Sequence, residues 1–263
     1  MKQFLSFSII ITLLVSCGQN TNSQLNNKGD IVTSTATEQA EFKIEKMISE
    51  TELNDKLVVM NSLYFTKSDL SSIEVFAYLD KQNNILKIEE KFVDVAKNQS
   101  STNTYYIHKN KKYATKERYS SGKAKNSKYT ERVSFYDNNE KVILSKSRST
   151  IFEEDLEANN FINIPFYDCP ITRAMNVINQ VGEFETKFQG FVINGPDSYL
   201  LVGESGDNGY VSSLMIQFHT ALTKKLLNNQ EKFLGTKLKV EYQKMTEGSG
   251  FEYQILLSSE EIK

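Results

Sequence analysis

Alternating apolar and polar positions dominate residues 73–148 and predict three successive β-hairpins. In residues 73–79, for example, Ile73, Val75 and Ala77 share one side of the predicted strand. Similar alternation flanks three polar turns, at residues 81–84, 108–111 and 137–140. Consecutive hairpins form an antiparallel meander, whose apolar face must pack against another element.

Two helices are predicted beside these strands. Apolar residues recur at helical spacing from Ile44 onward within residues 40–57, which predicts an amphipathic helix that covers the meander. A shorter helix is predicted further along, with Asp168 or Cys169 as its cap and Gly182 as its end.

The C-terminal hundred residues predict three strands, a helix and two more strands. In the last strand the inner positions are predicted to be Phe251, Tyr253, Ile255 and Leu257. This element order is typical of an OB-type five-stranded barrel, although an SH3-like or another small barrel has a compatible order. An OB-like fold by itself implies no particular ligand.

The predicted fold class is therefore α+β and mostly β: an antiparallel meander sheet with an N-terminal helix, followed by a small OB-like barrel. We predict a helix-plus-meander domain at residues 41–165 and the barrel domain at residues 166–263. A fragment of residues 163–263 is then expected to fold alone.

The chain begins with a short apolar run that predicts export. Lys2 supplies a positive charge, and the mostly apolar residues 4–15 would form about 18 Å of helix. A hydrocarbon core of about 30 Å needs a longer segment. The run therefore indicates the apolar region of a signal peptide.

The sequence Leu14-Val15-Ser16-Cys17 ends this run and resembles the lipobox of bacterial lipoproteins. The resemblance implies a signal peptide of residues 1–16, cleavage after Ser16, and acyl lipid such as palmitate on Cys17. An ordinary secretory peptide with a chance cysteine, or a buried apolar helix, is the alternative. Two or more acyl chains would anchor the protein firmly to a membrane.

Residues 17–40 are rich in Asn, Gln, Ser and Thr, which predicts a lipidated flexible tether. Under the sorting rules of such lipoproteins, Gly18 after the cysteine implies the outer membrane. The lack of acidic residues before Asp30 implies a body that faces the periplasm. Residues 63–148 also loosely resemble hairpins of uncharacterised Bacteroidetes lipoproteins, and this likeness implies no activity.

Charge is distributed unevenly along the chain. The net charge is −2, yet residues 101–150 carry twelve Lys or Arg against four acids. This excess marks a possible site for an anionic envelope polymer or an acidic protein, although a solvated sheet face explains it too. Nucleic acid is not an expected partner of an exported protein. The candidate patch consists of Lys109, Lys111, Lys112, Lys116 and Arg118.

Candidate catalytic groups are few. His108 and His219 are predicted at the surface, and Cys169 is predicted as a buried thiol. The acidic residues 153–157 lack the turn glycine and alternating ligands of a calcium loop, so no metal site is predicted. No catalytic or cofactor motif is found in the sequence, and neither catalytic residues nor cofactors are predicted.

These observations favour a membrane-anchored envelope lipoprotein that acts as a non-enzymatic binding or adaptor module in the periplasm. Two alternatives remain open: an envelope hydrolase with an unrecognised pair of carboxylates, and an immunity-type inhibitor lipoprotein. Carboxylates that converge in a deep cleft would favour the hydrolase.

Overall fold

The computed structural model describes residues 30–122 and 127–262, which contain four α-helices and fourteen β-strands. The helices are α1 (Asp30–Glu52), α2 (Thr172–Asn179), α3 (Ala221–Asn228) and α4 (Gln230–Phe233). The strands are β1 (Val58–Asn61), β2 (Phe65–Thr66), β3 (Ser72–Leu79), β4 (Ile85–Asp94), β5 (Gln99–His108), β6 (Lys111–Ser121), β7 (Lys128–Tyr136), β8 (Val142–Thr150), β9 (Ile162–Asn163), β10 (Lys187–Asn194), β11 (Asp197–Gly203), β12 (Val211–Met215), β13 (Leu238–Thr246) and β14 (Glu252–Glu261).

The predicted mostly-β fold with an N-terminal helix is confirmed. All fourteen strands belong to one open, mixed sheet with the main order β10-β11-β12-β2-β3-β4-β5-β6-β7-β8-β9. Strand β1 pairs with β3, and β13 joins the sheet through β14. Strands β3 to β8 each pair antiparallel with the next strand in the chain.

Two of the predicted turns are stabilised by the same kind of side-chain hydrogen bond. The carboxylate of Asp80 accepts the backbone N–H groups of Gln82 and Asn84, each at 2.8 Å. Asp137 accepts the N–H groups of Asn139 and Lys141 in the same way. An Asp side chain that bonds backbone two residues on favours a turn locally, so these turns form where the sequence predicts them.

One face of the sheet, called here the core face, carries the main hydrophobic core. Ile73 and Val75 of β3 lie fully buried on this face, and Val177 of α2 packs in the same cluster. The ring centroid of Phe184 lies 5.3 Å from the ring centroid of Phe65 and 4.8 Å from that of Tyr210. The core therefore joins residues from both predicted domains.

The opposite face, called here the helix face, is partly covered by α1. Ile44 and Ile48 of α1 pack on Tyr106 and Phe135 in a second, smaller cluster. Ile44 and Ile48 are the residues of α1 in this cluster, whereas Phe42 of the same helix is largely exposed, so the contact between the helix and the sheet is narrow.

The N-terminal helix is longer than predicted. It begins at Asp30, so residues 30–40 are helical and the prediction of a tether up to residue 40 is wrong. The whole of α1 lacks Gly and Pro, so nothing in its sequence interrupts the helix. The predicted signal peptide, Cys17 and the rest of the predicted tether lie outside the described residues. Within those residues, no helix combines the length and the hydropathy needed to span a bilayer.

The C-terminal strands do not form a separate closed barrel, because they are part of the open sheet. Strand β12 pairs with β2 through Val211 and Thr66, which ties the two predicted domains together. It also pairs parallel with β14, while one bridge between Lys187 and Lys237 connects β10 to the segment before β13. A single bridge is not a strand ladder, so the ring of five strands stays incomplete.

Because the core is shared, we expect residues 163–263 not to fold alone, contrary to the expectation from the sequence. Removing residues 30–162 exposes Phe184 and Leu214, which are fully buried in the whole chain. Thermal unfolding followed by circular dichroism should show one cooperative transition for the whole chain and none for the fragment. A cooperative transition of the fragment would establish two independent domains.

Glu52 predicts an acid-sensitive attachment of α1. Its carboxylate accepts hydrogen bonds from Lys87 at 2.8 Å and from the Tyr106 hydroxyl at 2.7 Å. Desolvation raises the pKa of Glu52, but these two bonds outweigh it and leave the pKa below the ordinary value of 4.5. A group whose pKa is lower in the folded state than in the unfolded state stabilises the fold at pH values above its unfolded-state pKa. This stabilisation is lost as the pH falls through the folded-state pKa.

We expect Glu52→Gln to lower the free energy of unfolding by about 1 kcal/mol at pH 7. This difference should shrink towards zero at acid pH, where wild-type Glu52 is itself protonated. Urea unfolding at several pH values measures it. The control is Glu50→Gln, since Glu50 is exposed and its ion pair with Lys46, at 3.8 Å, is exposed too. Equal losses of unfolding free energy in both variants would contradict the role of Glu52 in attaching α1.

Candidate ligand cleft at the C-terminal hairpin

A cleft of about 540 Å³ lies between the β13–β14 hairpin and strand β3. Its volume falls within the range of about 300–1,000 Å³ that is usual for small-molecule sites. Its lining residues come from five strands, the hairpin turn and the segment between β1 and β2: Tyr64, Glu74, Tyr199, Ser213, Lys244, Gly250, Phe251, Glu252, Tyr253 and Gln254. We refer to it as the hairpin cleft.

The hairpin is held against the sheet by buried polar contacts. Gln254 accepts the backbone N–H of Tyr64 at 2.9 Å and donates to the carbonyl of Ser62 at 3.0 Å. The Tyr242 hydroxyl donates to the carbonyl of Asn61 at 2.8 Å. Because Gln254 is buried, loss of either bond would leave an unpaired polar group. These contacts define the position of the cleft wall.

The hairpin turn places an aromatic ring at the mouth of the cleft. Gly250 has φ +83°, a conformation that favours glycine, and its N–H donates to the carbonyl of Glu247. The turn leaves Phe251 62% exposed, although the sequence predicted this residue at an inner position. Phe251 stacks on Tyr253 with 6.1 Å between ring centroids and 22° between ring planes.

The expected alternation in β14 is broken by a β-bulge. The register shifts between Glu241 and Tyr242, so Leu257 has no partner residue in β13. The bulge reverses the sides of the strand, because side chains alternate with a period of two. Leu257 is therefore exposed, contrary to the prediction, whereas Ile255 is buried as predicted and Gln254 and Leu256 are buried beside it.

The polar centre of the cleft is Lys244, whose ammonium lies between two carboxylates. Its Nζ donates to Glu74 Oε1 at 2.8 Å and lies 2.8 Å from Glu252 Oε2. Glu74 and Lys244 are almost completely buried, whereas about half of the Glu252 side chain is exposed. The Lys244 ammonium also lies 5.1 Å from the centroid of Phe76.

The state of Lys244 limits the chemistry of the cleft. Desolvation lowers the pKa of Lys244, but hydrogen bonds to Glu252 and Glu74 outweigh it and raise the pKa above 10.5. A lysine that acts as a nucleophile or Schiff base needs a lowered pKa. Lys244 therefore acts as a charged hydrogen-bond donor.

The structure does not bring the predicted basic patch together. Lys109 and Lys111 lie exposed at the β5–β6 turn, where Lys111 donates to the carbonyl of Asn138 at 2.8 Å. Lys112 is instead buried and donates to Asp168 at 2.7 Å. An extra residue, Tyr113, bulges from β6 and turns Lys112 to the core face.

The other two patch residues lie on the helix face and are already paired. Arg118 Nε donates to Glu131 at 2.5 Å, and Lys116 lies 3.7 Å from the same carboxylate. Arg118 also bonds Glu157 at 2.6 Å, and Arg148 contacts Glu131 at 3.3 Å. Much of the local positive charge is therefore compensated within the fold.

The remaining sequence candidates are dispersed. His108 and His219 are exposed as predicted, and they lie far apart in the strand order. Cys169 is buried as predicted, and burial raises the pKa of its thiol to about 11, so the group is protonated at neutral pH. Across residues 30–122 and 127–262, no cluster of three His, Cys, Asp or Glu side chains is arranged to hold a metal.

The sequence contains one signal for the cleft. Phe251 directly follows a glycine-rich turn, but the alternating pattern of the last strand led to its prediction as an inner residue. A large side chain on such a turn lies at the surface, where binding residues are frequent. Comparison of the chain with protein-family models, curated proteins and solved structures finds no match.

We expect Lys244→Met to lower the free energy of unfolding by about 3 kcal/mol, because it leaves the Glu74 carboxylate buried without its partner. Glu74→Gln in the same chain should restore most of that loss. Chemical denaturation of both single variants and the double variant measures the coupling. Additive losses would show that the pair is not coupled.

Proposed function

We propose that the protein is an outer-membrane lipoprotein, anchored through lipid on Cys17, that binds an envelope component in the hairpin cleft without catalysing a reaction. The lipobox resemblance supports the anchor, Gly18 after the cysteine supports the outer membrane, and the lack of acidic residues before Asp30 supports the periplasmic orientation. The observation that carries the binding role is the cleft itself, which combines aromatic walls with one buried ion pair. Sites of this composition are typical of small-ligand binding.

The pairing of the C-terminal strands supports an OB-like interpretation as part of this proposal. Strands β10, β11 and β12 follow one another, β12 meets β14 in parallel, and β14 pairs with β13. The bridge from Lys187 to Lys237 leads back towards β10. The cleft then lies at the last hairpin of an incomplete small barrel. This arrangement does not itself identify a ligand.

A hydrolase is the second candidate, because Glu74 and Glu252 converge in the cleft. Glycoside hydrolysis needs one protonated carboxyl group as general acid. Both carboxylates are instead engaged by the Lys244 ammonium, each at 2.8 Å. Lys244 itself is a poor acid, because its pKa is raised. These contacts favour binding over hydrolysis.

We expect Cys17→Ser to abolish incorporation of labelled fatty acid and to release the protein from the membrane fraction or leave an uncleaved precursor. Wild-type protein provides the reference in the same cells. Continued lipid labelling of the variant would refute the anchor.

Binding in the hairpin cleft can be tested in the same cells by replacing Phe251 with a photo-crosslinking side chain. It should capture one envelope component repeatedly, and capture should be lost when Lys244→Met is added. The matched control places the same side chain at Phe166, which is 69% exposed and does not line the cleft. Identical capture from both positions would refute specific binding in the cleft.

A further inference from the structure

We infer that the hairpin cleft binds an uncharged, polyhydroxylated ligand, namely a neutral glycan. The inference rests on the proposed binding function and adds the chemical class of the ligand. Three features of the cleft carry it: its balance of charge, its unused hydrogen-bonding capacity and its exposed aromatic rings.

The charges that line the cleft disfavour an ionic ligand. They are the carboxylates of Glu74 and Glu252 and the ammonium of Lys244 between them. An anionic ligand would meet two carboxylates beside its only cation. A cationic ligand would have to displace Lys244, which already lies 2.8 Å from both acids. A neutral ligand is neither repelled by the carboxylates nor required to displace Lys244, so it leaves the ion pair intact.

Lys244, Glu74 and Glu252 can still form hydrogen bonds with the hydroxyl groups of a ligand. An ammonium has three donors, and Lys244 uses one on Glu74 and one on Glu252. Each carboxylate has two oxygens that accept several hydrogen bonds, so acceptors flank the remaining donor. A hydroxyl group both donates and accepts, so neighbouring hydroxyls of a sugar match this alternation. Bonds to charged groups are also stronger than neutral ones.

The aromatic rings offer surfaces for the apolar faces of sugar rings. Phe251 is largely exposed beside Tyr253, and Tyr64 lies half-exposed in the same lining. Carbon-bound hydrogens carry partial positive charge and are attracted to the electron-rich face of an aromatic ring. The chain contains no Trp, and these Phe and Tyr rings take the place that Trp would have in a stacking platform.

The test is calorimetric titration of the full mature chain with oligosaccharides matched in length. The neutral probes are hexamers of glucose, xylose and N-acetylglucosamine. The charged probes are hexagalacturonate and the de-acetylated glucosamine hexamer, which differs from its neutral counterpart mainly by its ammonium groups. A fatty alcohol is the apolar probe. We expect saturable binding of at least one neutral hexamer and none of the charged probes.

We expect Phe251→Ala and Glu252→Ala each to weaken this binding by about tenfold or more, with unchanged melting temperatures. Phe166→Ala, which removes an equally exposed ring elsewhere, should leave the affinity unchanged. Phe251→Trp should retain binding, and the emission of this only Trp should shift on saturation. The neutral hexamer should be recovered intact after long incubation.

Each other outcome overturns the inference in a distinguishable way. Binding of only a charged or apolar probe refutes a neutral glycan but retains a ligand in the cleft. Binding that is insensitive to both cleft variants places the glycan elsewhere. Cleavage of the hexamer would establish the hydrolase instead of the binding protein. Failure of every probe, with an intact fold and no crosslink from position 251, would refute both the ligand class and the binding function.

Discussion

The packing of Phe184 between Phe65 and Tyr210 is the contact on which the rest of the structure depends. The three rings come from distant parts of the chain, and all are buried in one core. This core holds the C-terminal strands against the central sheet. It thereby brings Lys244 of the last hairpin within reach of Glu74 on β3. The cleft exists only because both halves share a core.

Local patterns were sufficient to predict much of the central sheet. The alternation in β3 places Ile73 and Val75 in the core, and Asp80 and Asp137 build turns from their own side chains. Such features depend on residues only a few positions apart, so a single sequence contains them. The burial of Cys169 is also as predicted, although Phe166, one of the two apolar neighbours on which that prediction rested, is itself exposed.

The features that failed depend on single-residue insertions and distant partners. A bulge at Tyr113 reverses Lys112, and another leaves Leu257 unpaired, yet neither position differs in composition from an ordinary strand residue. Asp168 or Cys169 was predicted to cap the helix now seen as α2, but the Asp168 carboxylate binds Lys112, 56 residues earlier, and α2 begins at Thr172 without a side-chain cap. A pairing of this kind is decided by tertiary packing, which propensity does not describe.

The narrow attachment of α1 has a mechanical consequence. A pull on the chain before Asp30 would act first on α1. The apolar contacts of this helix come mainly from Ile44 and Ile48, and its polar contacts include Glu41 on Lys146 near its middle and Glu52 on Lys87 at its C-terminal end. These contacts are few compared with the ladders of the sheet, so the helix would peel away while the strands stay paired. Detachment of the helix would therefore take up such a pull before it reached the hairpin cleft.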